Sequence, residues 1–185
     1  MGIVCGIDVG SAGAIALIDS DSGELLLVED MPIHRVQTGK TLRSRVDRVS
    51  LLGILMRARS ASVFVERPDY RPMRQTNKQT GQTENRQMGS AGAGAFGESY
   101  GCVLMGCTAA TMVLTEMRAG LWKRAMSFGA SKDDIRRRMQ ELFPSQAALF
   151  ARKKDDGRAD AVGLALYGVR SLRGEIRNGA ALAAD

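Results

Sequence analysis

The stretch Ile3–Asp8 constrains this chain more than any other. Ile3, Val4, Cys5 and Ile7 make an extended segment apolar on both faces, the mark of a central strand covered on both sides. A Gly10–Gly13 turn and a second apolar run, Ala14–Ile18, follow it. Yet the first strand ends in Asp8, with Gly6, Gly10 and Gly13 keeping its surroundings small. A carboxylate at the tip of a buried strand must be hydrogen-bonded or must face a cation. Capping a turn would satisfy a lone Asp. Here the pattern recurs: Ala61–Glu66 (ASVFVE) is also apolar and ends in a carboxylate, and further acids stand at Asp156 and Asp160. Three such groups, far apart in sequence, argue for a metal site.

The rest of the chain supplies a context. At 185 residues with 44% apolar and 25% charged content, it reads as one α/β domain with a full core. Residues after about Leu172 read as a frayed tail. No apolar run reaches the ~20 residues needed to span a bilayer, and no signal-peptide pattern opens the chain, so a cytoplasmic protein without membrane contact is expected. Cys5, Cys102 and Cys107 lie in apolar segments without zinc-site spacing, as reduced core thiols do. The charge is uneven. Between His34 and Met88 there are 12 Lys/Arg against 4 Asp/Glu, a net +8. A solvated basic face would account for this, but a patch of that size more often tracks a polyanion, and nucleic acid is the leading partner.

In chain order, turn formers at Asp19–Gly23 join the second strand to a third at Glu24–Met31. Residues 33–40 read as a basic loop holding His34, the only histidine. A helix is expected from about Leu42 to Arg59, with Val46, Val49, Leu52, Ile54 and Leu55 as its buried stripe. It leads into the strand ending at Glu66 through a right-handed crossover, which brings Asp8 and Glu66 to one sheet edge. Arg67–Gln87 is polar, aperiodic and holds two prolines, so it reads as a long functional loop. Its Arg67, Tyr70, Arg71, Arg74 and Lys78 suit stacking a base while holding phosphates; a floppy surface loop is the plain alternative. In Met88–Gly106, Gly89, Ala93, Gly97 and Gly101 recur every four residues as one helical ridge. Each interior Gly costs about 1 kcal/mol against Ala, so the ridge needs a compensating close approach, either inside the fold or to a second subunit. A strand at Ala110–Thr115, a short segment with Trp122 and Lys123, and a helix capped by Ser131 come next. The Arg136–Arg138 run reads as a solvated or DNA-facing surface. A last helix, Asp155–Arg170, puts Asp156 and Asp160 on one face.

Carboxylates gathered at one edge repel one another unless a hard cation intervenes, and oxygen-only ligands favour Mg²⁺, with Mn²⁺ as a substitute. Paired ions in such sites activate water and stabilise the leaving oxygen of a phosphodiester. Joined to a basic surface, the residues themselves suggest a nuclease.

The spaced set GIDVGSAGAIAL, VFVERP, Phe96–Gly101, LWK and DDGRADAVGLALYG resembles the RuvC family of Holliday-junction resolvases, in particular its phage-type branch, over residues 2–170. The resemblance implies a ribonuclease H-like mixed five-stranded sheet with helices on both faces. It also implies Mg²⁺-dependent cutting of branched DNA by a homodimer. It puts Asp8, Glu66 and Asp160 on metal-binding carboxylates and Lys123 near the scissile phosphate. The fourth acidic position often lies three residues before the last carboxylate, where this chain has Gly157. Asp156, which shares a face with Asp160, is preferred for that duty, with Asp155 the alternative. Ala119 replaces a frequent proline. A branched-DNA-binding protein that does not cut would keep the basic surface without needing every carboxylate. GIDVGS also resembles the phosphate-binding opening of actin-like kinases, which need a second domain and roughly twice this length.

Overall fold

A computed structural model of the chain describes residues 2–67, 73–76, 83–86, 89–129 and 131–176. Strands β1 (Ile3–Asp8) and β2 (Ala14–Asp19) form an antiparallel hairpin in which Asp8 faces Ala14. Strand β3 (Leu25–Asp30) adds to β2 with Asp30 opposite Ala14 and a bulge between Leu17 and Ile18. After an excursion through β4 (Ile33–Thr38), β5 (Thr41–Val46) and helix α1 (Arg48–Arg57), strand β6 (Ser62–Glu66) lies parallel to β1. Strands β7 (Met73–Thr76) and β8 (Thr83–Arg86) pair with each other. Helix α2 (Ser90–Ala109) then crosses to β9 (Val113–Met117), parallel to β6. Helices α3 (Ala119–Ala125), α4 (Lys132–Leu142) and α5 (Asp156–Leu172) follow, with 3-10 turns at Pro144–Phe150 and Lys153–Asp155. The central sheet is mixed and five-stranded, in the order β3-β2-β1-β6-β9.

The two-sided apolar pattern of β1 explains the layers. Cys5 and Ile7 point into a core with Leu51, Leu55, Val103 and Cys107 from α1 and α2. Val4 points the other way, into a core with Phe64, Trp122, Ile135, Ala161 and Leu164. Successive side chains alternate faces, so both layers draw on the same strand. Helix α5 packs directly on β1, and Gly6 makes this possible. A Cβ at Gly6 would stand 2.1 Å from the Ala161 carbonyl oxygen and 2.5 Å from the Ala165 nitrogen. Those are backbone atoms and cannot rotate away. Gly6→Ala is therefore expected to cost ~3 kcal/mol or more, at or above the upper end of overpacking penalties. Thermal unfolding checks this: an unchanged midpoint would mean that α5 is not seated on β1 as described.

Several sequence expectations are corrected. The basic loop at 33–40 is strand β4, and its helix-like continuation from Leu42 is β5. Helix α1 begins only at Arg48, because Asp47 caps it by accepting from the Val49 and Ser50 amides. Its buried positions are Leu51 and Leu55, whereas Val49 is 83% exposed and Leu52 38%. The expected long loop contains β7 and β8. The strand placed at Ala110–Thr115 starts three residues later. The tail is anchored further than expected: Arg173 donates to the Ser20 and Asp21 carbonyls, and Ile176 packs on the core. Residues 177–185 of that tail lie outside the described residues. The Ser131 cap is present as a full capping box with Asp134.

The glycine ridge of α2 makes no close approach within the described chain. Cβ atoms at Gly89, Gly94, Gly97 or Gly101 would meet nothing within 4 Å, whereas one at Gly106 would meet Leu55 at 2.7 Å. The internal helix contact thus uses Gly106 and leaves the ridge open. Among the described residues, no helix is long and apolar enough to cross a membrane.

Candidate active site

The sheet's register gathers the predicted acids. Parallel pairing of β1 with β6 runs from Val4↔Ser62 to Ile7↔Val65, so Asp8 and Glu66 are the next residues of both strands and stand side by side at one edge. Helix α5 starts over this edge. The charge of its Asp160 is felt by both Asp8 and Glu66, and that of Glu66 by Asp8. Burial, with the Asp160 and Glu66 charges added, pushes the Asp8 carboxyl well above the usual carboxylate range. Burial likewise raises Glu66 and Asp160. Lys123 opposes the rise at all three.

Helix α3 brings two partners. The Lys123 ammonium stands 3.2 Å from both Asp160 oxygens and 5.0 Å above the Trp122 ring. The buried Trp122 donates its indole N–H to Glu66 Oε2 at 3.1 Å. Trp122 is fixed from behind, because α5 presents Gly163, where a Cβ would come within 2.6 Å of the indole, and Phe128 meets it edge to face. The sequence showed Trp122 only as the neighbour of Lys123.

The two candidates for the fourth acid have different surroundings. Asp155 is 2% exposed and bonded to the Arg152 guanidinium and amide, which hold its carboxyl below the usual range. Asp156 adds its charge to that felt by Asp160. It accepts from Arg136 at 2.7 Å and pairs with Lys132 at 3.3 Å. Arg136 is thus a correction to the solvated arginine run: its side chain is 11% exposed and also bonds the Lys153 carbonyl and Asp133. Nothing local in an Arg-Arg-Arg run distinguishes its first member; only the packing of α4 on α5 does. Position 157 has no room for a carboxylate, since a Cβ there would lie 2.3 Å from the Ala12 carbonyl oxygen.

Of the predicted DNA-binding residues, Arg67 is exposed just past Glu66, its amide bonded to the Met117 carbonyl at 2.7 Å. Arg74 belongs to β7. Tyr70, Arg71 and Lys78 lie outside the described residues.

The donor set is chemically suited to a hard divalent cation: oxygen only, half-buried and mutually repelling. As placed, no three such groups among the described residues converge into a ready-made coordination shell. Lys123 instead supplies the positive charge beside Asp160.

Compared with solved structures, the chain is similar over nearly its whole length to one described as Thermus thermophilus RuvC in complex with Holliday junction substrate. The identity is 18% and the TM-score 0.61, covering 95% of this chain and 98% of that one. A second similar structure, Thermus thermophilus RuvC, gives 18% and 0.52, covering 94% and 98%. The chain has the RuvC fold. The expected ribonuclease H-like α/β architecture of RuvC, with helices on both faces of a mixed sheet, is therefore borne out. No protein-family model matches the sequence. No curated protein matches it either.

Proposed function

We propose that this chain is a Mg²⁺-dependent endonuclease that cuts branched DNA, most specifically four-way junctions. The observation that carries the reading is that Asp8, Glu66 and Asp160 all stand within electrostatic reach of Lys123 at one edge of a RuvC-type sheet. Asp8, Glu66 and Asp160 would hold the cations, with Asp156 as the fourth carboxylate; Mn²⁺ would replace Mg²⁺. Bound cations supply an activated water and charge stabilisation at the leaving oxygen. The chain's own contribution is positional. Trp122 orients Glu66, Arg136 orients Asp156, and the Lys123 ammonium offers positive charge beside the carboxylates where a phosphate would enter. The open ridge of α2 supports a homodimer. A four-way junction has two scissile strands related by near two-fold symmetry, and a C2 pair would present two matching sites.

The test uses the purified protein with end-labelled four-way junction, fork, flap and linear duplex. Junction cutting should require MgCl₂ or MnCl₂, stop with EDTA, and fall on symmetry-related strands. Binding of branched DNA without cutting at any divalent-ion concentration would make it a non-cleaving junction binder.

A further inference from the structure

Strands β4 and β5 form a hairpin of their own, outside the central sheet. All six residues of β4 are exposed. A lone two-stranded hairpin is marginal in water, so an arm like this needs a use. Its position suggests one. Asp30 pairs with Ala14, which pairs with Asp8, so β3 delivers the chain into the hairpin at the carboxylate end of the sheet. The stem is fastened there by two backbone bonds, Met31 N–H to the Gly13 carbonyl and Asp47 N–H to the Pro32 carbonyl, each 2.9 Å.

The hairpin carries Arg35, Lys40, Arg43 and Arg45, and there is no Asp or Glu from Met31 to Val46. The acids around the stem are already engaged. Asp30 binds Arg158 at 2.6 Å, Asp47 caps α1, and Glu98 of α2 binds Arg45 at 3.1 Å and Arg48 at 2.8 Å. Arg35 and Lys40 make no ion pair among the described residues. Arg45 thus anchors the arm, Arg43 is half-buried, and the exposed Arg35 and Lys40 face solvent. Exposed apolar residues, Ile33 at 42%, Val36 at 38% and Leu42 at 51%, are scattered among these charges and form no continuous apolar face.

We infer that the β4–β5 hairpin is a second, sequence-independent contact to the phosphate backbone of a duplex arm beside the cutting site. The inference rests on the nucleic-acid reading above. A cluster of carboxylates repels DNA, so the strand entering it must be held by cations flanking it, and this arm rises from the same edge. Six residues of strand reach ~20 Å, and a duplex exposes one phosphate per strand every ~3.4 Å, so the arm can follow about six base pairs.

The experiment compares wild type with Arg35→Ala/Lys40→Ala and with a charge-keeping Arg35→Lys variant. Affinity for linear duplex and for a four-way junction is measured across salt concentrations, and thermal midpoints confirm folding. The double variant should bind both DNAs more weakly and flatten the log affinity against log salt slope by ~0.9 per lost contact, about 1.8 in all. Arg35→Lys should keep the wild-type slope. An unchanged slope in the double variant, with wild type still cutting junctions, would overturn the hairpin contact and leave the nuclease standing. A flattened slope in a protein that cuts nothing would do the reverse. Binding of the arm to vesicles rich in anionic lipid, with DNA affinity unaltered, would also overturn it.

Discussion

Asp8→Asn is expected to abolish cutting, by ~10³-fold or more, as when one member of a catalytic unit is removed, while junction binding stays the same or tightens. Tightening follows because a negative charge leaves the place where phosphates approach. The same substitution should make the metal-free protein more stable at neutral pH. Asp8 titrates above its unfolded range because burial and two neighbouring carboxylates disfavour its charge. Its contribution to stability is therefore complete below the unfolded carboxylate range and is lost as pH rises through the raised value. Wild type without metal should lose thermal stability across that rise, and Asp8→Asn should lose less, with each kcal/mol read as ~2–4 °C. Added Mg²⁺ should raise the wild-type midpoint and leave the variant nearly unmoved. Normal cutting by both Asp8→Asn and Asp160→Asn would show that the reaction happens elsewhere.

Lys123→Ala is the second large effect. Its ammonium bridges both oxygens of Asp160 and lowers the pKa of all three clustered acids. Removing it should slow cleavage by ~10²–10³-fold, the range for losing one preorganised electrostatic group, with a much smaller loss in DNA affinity. The acid limb of the residual pH–rate profile should move upward, because the carboxylates lose the cation that favours their ionised form. Equal losses in binding and cleavage, with the profile unmoved, would reduce Lys123 to a phosphate contact.

The parts legible in the sequence were those where one residue pattern meets one demand. Strands β1 and β6 are apolar on both faces and end in a carboxylate, so their central position and shared edge followed directly. Ser131 announced its helix because a cap is local chemistry. The hairpin β4–β5 was hidden because a strand exposed along its whole length needs no apolar alternation, and IHRVQT reads like a loop. The false helix start at Leu42 came from Val46, Val49 and Leu52, whose helical spacing is coincidental: Val46 ends a strand and Val49 faces water. The Trp122 bond to Glu66 and the Arg136 clamp on Asp156 span 56 and 20 residues. Contacts of that kind arise only when the layers close.

The fastening of the hairpin's stem has a consequence for how such a chain can diversify. Because the Met31 and Asp47 amides close the loop at its root, the core sees the same two anchor points whatever lies between them. Doubling the length of such a segment costs only about 0.6 kcal/mol of closure entropy. Insertions and deletions there can lengthen, shorten or recharge the arm while the carboxylate edge stays unchanged. The arm's reach can therefore drift from one descendant to the next without disturbing that edge.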